Sequence, residues 1–337
     1  MGATAAHQAR GGKQERAGSA TTAQLEMGAS VDTGELHFAD RLWVSLRSDG
    51  DLYSVNRGPD PLNVGFWICP KCGRGLKQQN EKHAAPDAYG KHQCDGKPKN
   101  RVVLVHSIRT GVVLLGLNLP PGYAGDPRHS AGRAVWLSLG SALLRAAATE
   151  LQIDPSELAM GMRPWRVSGD VLSGEVYLYD TLPNGAGYAQ AIANPVTLKA
   201  IFERALEICS TCNCNGACYS CLLDYSNQRI HALLDRRLAA DVLRFVLEGT
   251  LPATTTSDME HALQHLKAFA VPESNFQQVG PGIVQLQLSD RSIRVEPRHP
   301  LTERRSGGTV AYPTTFDLEK RPFWVWTHLM QNTMTEL

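Results

Sequence analysis

Five cysteines fall within thirteen positions: Cys209, Cys212, Cys214, Cys218 and Cys221. No other feature of this chain restricts its fold as strongly. Structural zinc takes four soft ligands in a tetrahedron at about 2.3 Å. Short spacings let thiolates from one turn point inward. Cys218-x2-Cys221 is such a pair, and Gly216 permits the tight reversal before it. Five thiols compete for four places. Cys212, Cys214, Cys218 and Cys221 are preferred as ligands, with Cys209 a spare at a helix end; the alternative exchanges Cys209 for Cys212 or Cys214. Free thiols or disulfides are the bland explanation, and an iron–sulfur cluster is the rival metal. Zinc bound this way contributes on the order of 10 kcal/mol, enough to hold a domain together. Four thiolates also close the coordination sphere, which leaves no open position for catalysis.

The remaining three cysteines, Cys69, Cys72 and Cys94, form a looser set. Cys69-Pro-Lys-Cys72-Gly is a zinc-knuckle turn. A histidine would complete it: His83 is favoured, and His92 is the alternative. Zn2+ is therefore expected at two sites. From Cys69 to Arg101 eight Lys/Arg face three acids, a local excess of five positive charges. The whole chain is nearly neutral, Lys+Arg 34 against Asp+Glu 33, so affinity for phosphate has to come from such a patch. Lys71, Arg74, Lys77, Lys82, Lys97, Lys99 and Arg101 are the candidate nucleic-acid contacts.

A chain of 337 residues, 42% hydrophobic, can bury a real core in one large or two modest domains. Neither a signal peptide nor a spanning segment is visible; Val112 to Leu119, the most apolar run, is too short to cross a bilayer. A cytoplasmic location with reduced thiols is expected. Residues 1–30 read as a disordered tail, 31–101 as strands plus the knuckle, 102–250 as the domain of the second cluster, and 251–337 as a small α/β appendage. Residues 102–119 are β-branched and aliphatic, two strands or one long bent one. Gly132 to Leu151 is a helix with an apolar stripe, Glu157 to Met162 and Glu175 to Asp180 are strands, and Asn194-Pro195 starts a helix running to about Ile208. Ile230 to Leu247 reads as one helix ended by Gly249, and Ser257 with Glu260 forms a capping box opening another. Together these give an α+β fold: a mixed sheet flanked by helices with a four-cysteine zinc site, preceded by a small zinc knuckle.

Asp180-Thr-Leu-Pro-Asn-Gly-Ala-Gly187 is a glycine loop between a strand and a helix start. It is foremost a structural turn, though its amides could cradle an anion. Motifs for ATP hydrolysis, metalloprotease and serine-hydrolase chemistry are missing. A nuclease reading would rest on His231 and Asp235, which otherwise decorate a polar helix face. The expectation is a chain with no catalytic residues and no enzymatic activity.

The segments "YLYDTLPNGAGYAQAI" and "CNCNGACYSCLLDYSNQRIHALLDRRLA" resemble the MrfA-type zinc-binding domain family, found fused to superfamily-2 DNA helicases or as a subunit beside one. The knuckle and "VVLVHSIRTGVVLL" look most like the DrmB-type subunit of DISARM anti-phage systems. The resemblance places the metal ligands on Cys212, Cys214, Cys218 and Cys221. It implies a non-catalytic zinc-binding subunit that joins a superfamily-2 helicase and helps it engage or remodel DNA, in anti-phage defence. The alternatives are a purely structural helicase-interaction module without DNA contact and a DNA-repair helicase accessory.

Overall fold

The computed structural model describes residues 19–23, 29–31, 36, 38–56, 65–76, 78–84, 93–97, 101–168, 170–269, 275–288, 290–305 and 308–331. Most of the expected tail at 1–30, together with Lys77, His92 and Lys99, lies outside them. In chain order the strands begin with β1 (Ser19–Ala23), β2 (Ala29–Ser30) and β3 (Leu42–Asn56). Short strands follow: β4 (Phe66–Ile68), β5 (Gly75–Leu76), β6 (His83–Ala84), β7 (Gln93–Cys94) and β8 (Arg101–Val102). Next come β9 (Leu104–Leu117), α1 (Ser130–Leu151), β10 (Leu158–Ser168), β11 (Val171–Asp180), α2 (Tyr188–Ala193), α3 (Pro195–Thr211) and α4 (Arg236–Glu248). The chain continues through α5 (Thr256–Lys267), β12 (Asn275–Gly280), β13 (Ile283–Gln287), β14 (Ser292–Val295), β15 (Val310–Ala311), α6 (Thr315–Lys320) and α7 (Pro322–Gln331).

Two compact units result, and each is interrupted in sequence. One comprises 1–26 and 49–110, the other 27–48 and 111–337. In the first, β4 lies between β5 and β8, with Trp67 opposite both Leu76 and Arg101. β6 and β7 form a separate ladder that sets His83 directly opposite Cys94. Strands of two or three residues bury too little surface to stabilise themselves, so this region depends on cross-links of another kind.

The second unit has the larger core. Its sheet runs β3-β9-β11-β10, with β11 antiparallel to both β9 and β10. Every residue from Thr110 to Leu117 is buried, which explains a continuous apolar run rather than an alternating one. The α1 helix, rich in alanine, packs on β10 and β11 and against α3 and α4. Its small residues favour both helix and close approach, while Leu139 and Leu143 are fully covered, each worth about 2 kcal/mol. The buried Trp136 donates its indole N–H to the Gly125 carbonyl at 2.6 Å. The α3 helix starts where the sequence indicates: the Asn194 side chain accepts from the Val196 and Thr197 amides, with Pro195 in the first turn. A second core around Leu263, Leu286 and Val325 joins α5 and α7 to the β12-β13-β14-β15 sheet. Among the described residues, no helix is long and apolar enough to cross a membrane.

Candidate metal centres

The end of α3 delivers the chain into the second cysteine cluster. Cys212, Cys214, Cys218 and Cys221 bring their sulfurs within 4.8 Å of one another. The Sγ–Sγ distances are 3.5 Å for Cys212–Cys218, 3.6 Å for Cys214–Cys221 and 3.7 Å for Cys218–Cys221. A tetrahedron of sulfurs about 2.3 Å from a central zinc has edges of about 3.8 Å, whereas a disulfide needs about 2.05 Å. These separations therefore fit a metal and exclude paired cystines. Cys209, the fifth thiol, is buried in α3 outside the group, where burial pushes it up to about 12.

The loop is held by its backbone. The Cys221 and Leu222 amides both donate to the Cys218 carbonyl at 3.1 Å, and Gly216 takes φ +96° at the reversal. Arg236, the first residue of α4, donates from Nε to the Cys214 carbonyl at 3.0 Å and from Nη1 to the Cys209 carbonyl at 2.9 Å. Its own amide donates to the Gly216 carbonyl at 2.8 Å. Meanwhile Asp235 caps α4 by accepting from the Arg237 amide. The "LDR" of the sequence thus starts a helix and grips the metal loop at once. The thiols are pushed in opposite directions. The Ser220 amide lowers Cys218 to about 6, whereas burial and the adjacent thiols raise Cys214 to about 12. Four sulfurs this close can all be thiolates only with a cation between them.

In the other unit, Cys69, Cys72, His83 and Cys94 also place one ligand atom each within 4.8 Å of the others. The Cys69 and Cys94 sulfurs are 3.7 Å apart. His83 is buried, and its Nδ1 lies 3.2 Å from the Glu81 carbonyl oxygen. A carbonyl only accepts, so Nδ1 carries the proton and Nε2 the lone pair. That Nε2 is buried without a hydrogen-bond partner, as expected of a ligand atom whose partner is a metal. Burial pushes the Cys69 thiol up, but the Cys72 and Lys71 amides outweigh it and bring it down to about 6. A Cβ on Gly96 would come within 2.5 Å of the Cys69 sulfur, so only glycine lets the backbone pass this close.

The candidate phosphate contacts of this unit differ in their surroundings. Lys82 and Lys97 are exposed. Lys71 pairs with Asp95 at 2.5 Å, a surface pair of small worth. Arg74 donates to the Ala84 carbonyl at 2.8 Å, and Arg101 stacks over Trp67 at 4.8 Å. Lys77 and Lys99 lie outside the described residues, as does His92.

Two features read as surface or turn have definite duties. The amides of the glycine loop are already occupied: the buried Asp180 carboxylate accepts from Ala186, Gly187, Tyr188 and Ala189. The cradle exists, and its anion is its own strand end. His231, offered for nuclease chemistry, points Nε2 at Asn227 Oδ1 (2.7 Å) and the Asp224 carbonyl (3.0 Å). Asp235 is spent on the α4 cap and an ion pair with Arg237 at 2.6 Å.

Residues 139–222, which include the four-thiol cluster, match the family model of the MrfA Zn-binding domain. The chain carries an MrfA Zn-binding domain. The Druantia protein DruE of Escherichia coli (strain UMEA 4076-1) is 30% identical over 282 residues, covering 76% of this chain and 15% of DruE. A crystal structure of the helicase MrfA bound to DNA is similar at 13% identity over 69% of this chain and 25% of that one, with a TM-score of 0.40. Another, bound to DNA and AMPPNP, gives 12% identity over 64% and 22%, with a TM-score of 0.27. Likenesses at these scores do not define a shared fold. The chain thus spans 15% of the length of DruE and a quarter of the DNA-bound MrfA chain.

That extent overturns the expectation of a chain without enzymatic activity. DruE, matched over 76% of this chain, is several times longer. A search for catalytic motifs confined to these 337 residues covers only a small part of such proteins, so the missing ATPase, nuclease and hydrolase motifs exclude nothing. The expected MrfA-type zinc-binding domain is present over residues 139–222; the finer resemblance to a DISARM DrmB-type subunit goes beyond what these matches show.

Proposed function

We propose that this chain is the zinc-stabilised, DNA-engaging region of a helicase-type protein acting in anti-phage defence. One zinc is held by Cys212, Cys214, Cys218 and Cys221, a second by Cys69, Cys72, Cys94 and His83. Each metal fixes a loop that its own hydrogen bonds would leave marginal, and four protein ligands keep substrate off the ion. A superfamily-2 motor, on the same polypeptide or on a partner, supplies ATP hydrolysis. Lys82 and Lys97, together with the sequence candidates Lys71, Arg74, Lys77, Lys99 and Arg101, meet DNA phosphates. The observation that carries this reading is the four-sulfur cluster at tetrahedral spacing inside the matched domain. The relationship to DruE supports the defence setting.

The reading is tested by DNA titration of the full chain at several salt concentrations. Each phosphate contact contributes about −0.9 to the slope of log K against log salt on duplex DNA. Reversing Lys82 and Lys97 together (Lys82→Glu, Lys97→Glu) is expected to flatten the slope by about two and weaken binding at least ten-fold. Salt-independent binding, or affinity unchanged by the reversals, would leave a module that contacts protein only.

A further inference from the structure

Three consecutive residues at the start of α4 hold three different neighbours. The Asp235 amide donates to Ser138 Oγ of α1 at 2.9 Å, and Arg236 donates to the Cys209 and Cys214 carbonyls. Arg237 turns instead to α6, where its Nη2 lies 2.7 Å from Glu319 Oε2. The buried Asp235 carboxylate takes the same guanidinium, at 3.0 Å from Nε and 2.6 Å from Nη2. The α6 helix is itself shared: Phe316 belongs to the core around α1, and Leu318 to the second core. Its last residue, Lys320, reaches the metal loop. A Cβ on Gly216 would come within 3.2 Å of Lys320 Nζ, so the ammonium lies beside the backbone between Cys214 and Cys218.

The charges at this junction sort by neighbour. The α4 and α6 helices and the residue after α6 carry five cations: Arg236, Arg237, Arg244, Lys320 and Arg321. Three of them pair with carboxylates: Arg237 as above, Arg244 with Asp241 at 3.1 Å, and Arg321 with Asp317 at 3.0 Å. Among the described residues, Arg236 and Lys320 have no carboxylate partner, and they are the two that lie against the cysteine loop. A zinc ion held by four thiolates is a dianion. Two cations at its edge balance that charge, as the outer partners of metal ligands commonly do.

We infer that α6 is a latch on the four-thiol centre, with Lys320 a positioning residue for its zinc. This rests on the zinc assigned above to Cys212, Cys214, Cys218 and Cys221. It adds that the C-terminal module and that metal stabilise each other. The ammonium favours the dianionic loop, and by the same interaction the loop holds the end of α6. Lys320 is exposed, so its effect is modest in size and weakened by salt.

The test is zinc release from the full, zinc-loaded chain to an excess of coloured chelator. The release phase that survives in His83→Ala belongs to the four-thiol loop, and the other phase serves as an internal reference. Lys320→Gln should speed the four-thiol phase about three-fold, and Lys320→Glu about ten-fold, with the reference phase unchanged. Lys320→Arg should keep the wild-type rate, and the differences should shrink at high salt. Hydrogen exchange of the zinc-loaded Lys320→Glu chain should rise at residues 315–320. Lys267→Glu, at the exposed end of α5, should change neither readout. A four-thiol phase at the wild-type rate in Lys320→Glu, or equal acceleration in Lys267→Glu, overturns the latch and leaves the zinc reading intact. A wild-type chain with no zinc at the four-thiol loop overturns both.

Discussion

Arg236 donates to the carbonyl oxygen of Cys214 at 3.0 Å, tying the first turn of α4 to the centre of the cysteine loop. The same side chain reaches the Cys209 carbonyl, so one guanidinium spans the end of α3 and the loop that follows. The metal ligands therefore sit on a helix junction that this one guanidinium ties together.

Replacing Arg236 by alanine removes two charge-assisted hydrogen bonds, each worth about 1.5–3 kcal/mol. The expected loss is about 3 kcal/mol in denaturant unfolding, with faster zinc release to a chelator. Lysine, which cannot fork across two carbonyls, should recover little of either.

Asp180 has a comparable duty at the glycine loop, accepting from four successive amides at 2.6, 2.9, 3.2 and 2.9 Å. Asp180→Ala leaves those amides short of partners and should cost at least about 3 kcal/mol. Asp180→Asn retains one oxygen and should cost less. Urea midpoints of the two variants give the comparison, and an alanine variant as stable as wild type would show the loop to be held otherwise.

Glu175 sets a pH dependence. It is fully buried on β11 opposite Arg163 on β10. Burial raises its pKa above the ordinary 4.5, and the Arg163 charge offsets that only in part. The native state then keeps this proton to higher pH than the unfolded chain does. Stability from this group is accordingly present below about 4.5 and is lost as pH rises through the raised native value. Subtracting the curve of Glu175→Gln from that of wild type cancels the metal sites, and the difference should fall with rising pH. A difference that rises would contradict the assignment.

Much of this was legible in the chain itself, because it rests on local chemistry. Asn194-Pro195 and Gly249 mark helix ends through backbone groups only a few residues away, and α1 matches its apolar stripe. Local ambiguity explains two shifts. Thr255 with Asp258 forms the capping box of α5, not Ser257 with Glu260, although both pairs have the right spacing. Ile230 to Leu247 is not one helix: a 3-10 turn over Gln228–Leu233 ends in extended Leu234, and Asp235 starts α4 afresh. The Asp235 amide donates to Ser138 Oγ at 2.9 Å, a tertiary bond that competes with helix continuation.

The central claim is that both clusters hold zinc, and elemental analysis of the purified full chain tests it most directly. Two zinc ions per chain are expected, falling to one in His83→Ala and returning to two in His83→Cys, which restores a four-ligand set. One zinc in the wild type, unchanged by His83→Ala, would contradict the account of the knuckle. Iron, or no metal at all, would contradict the account as a whole.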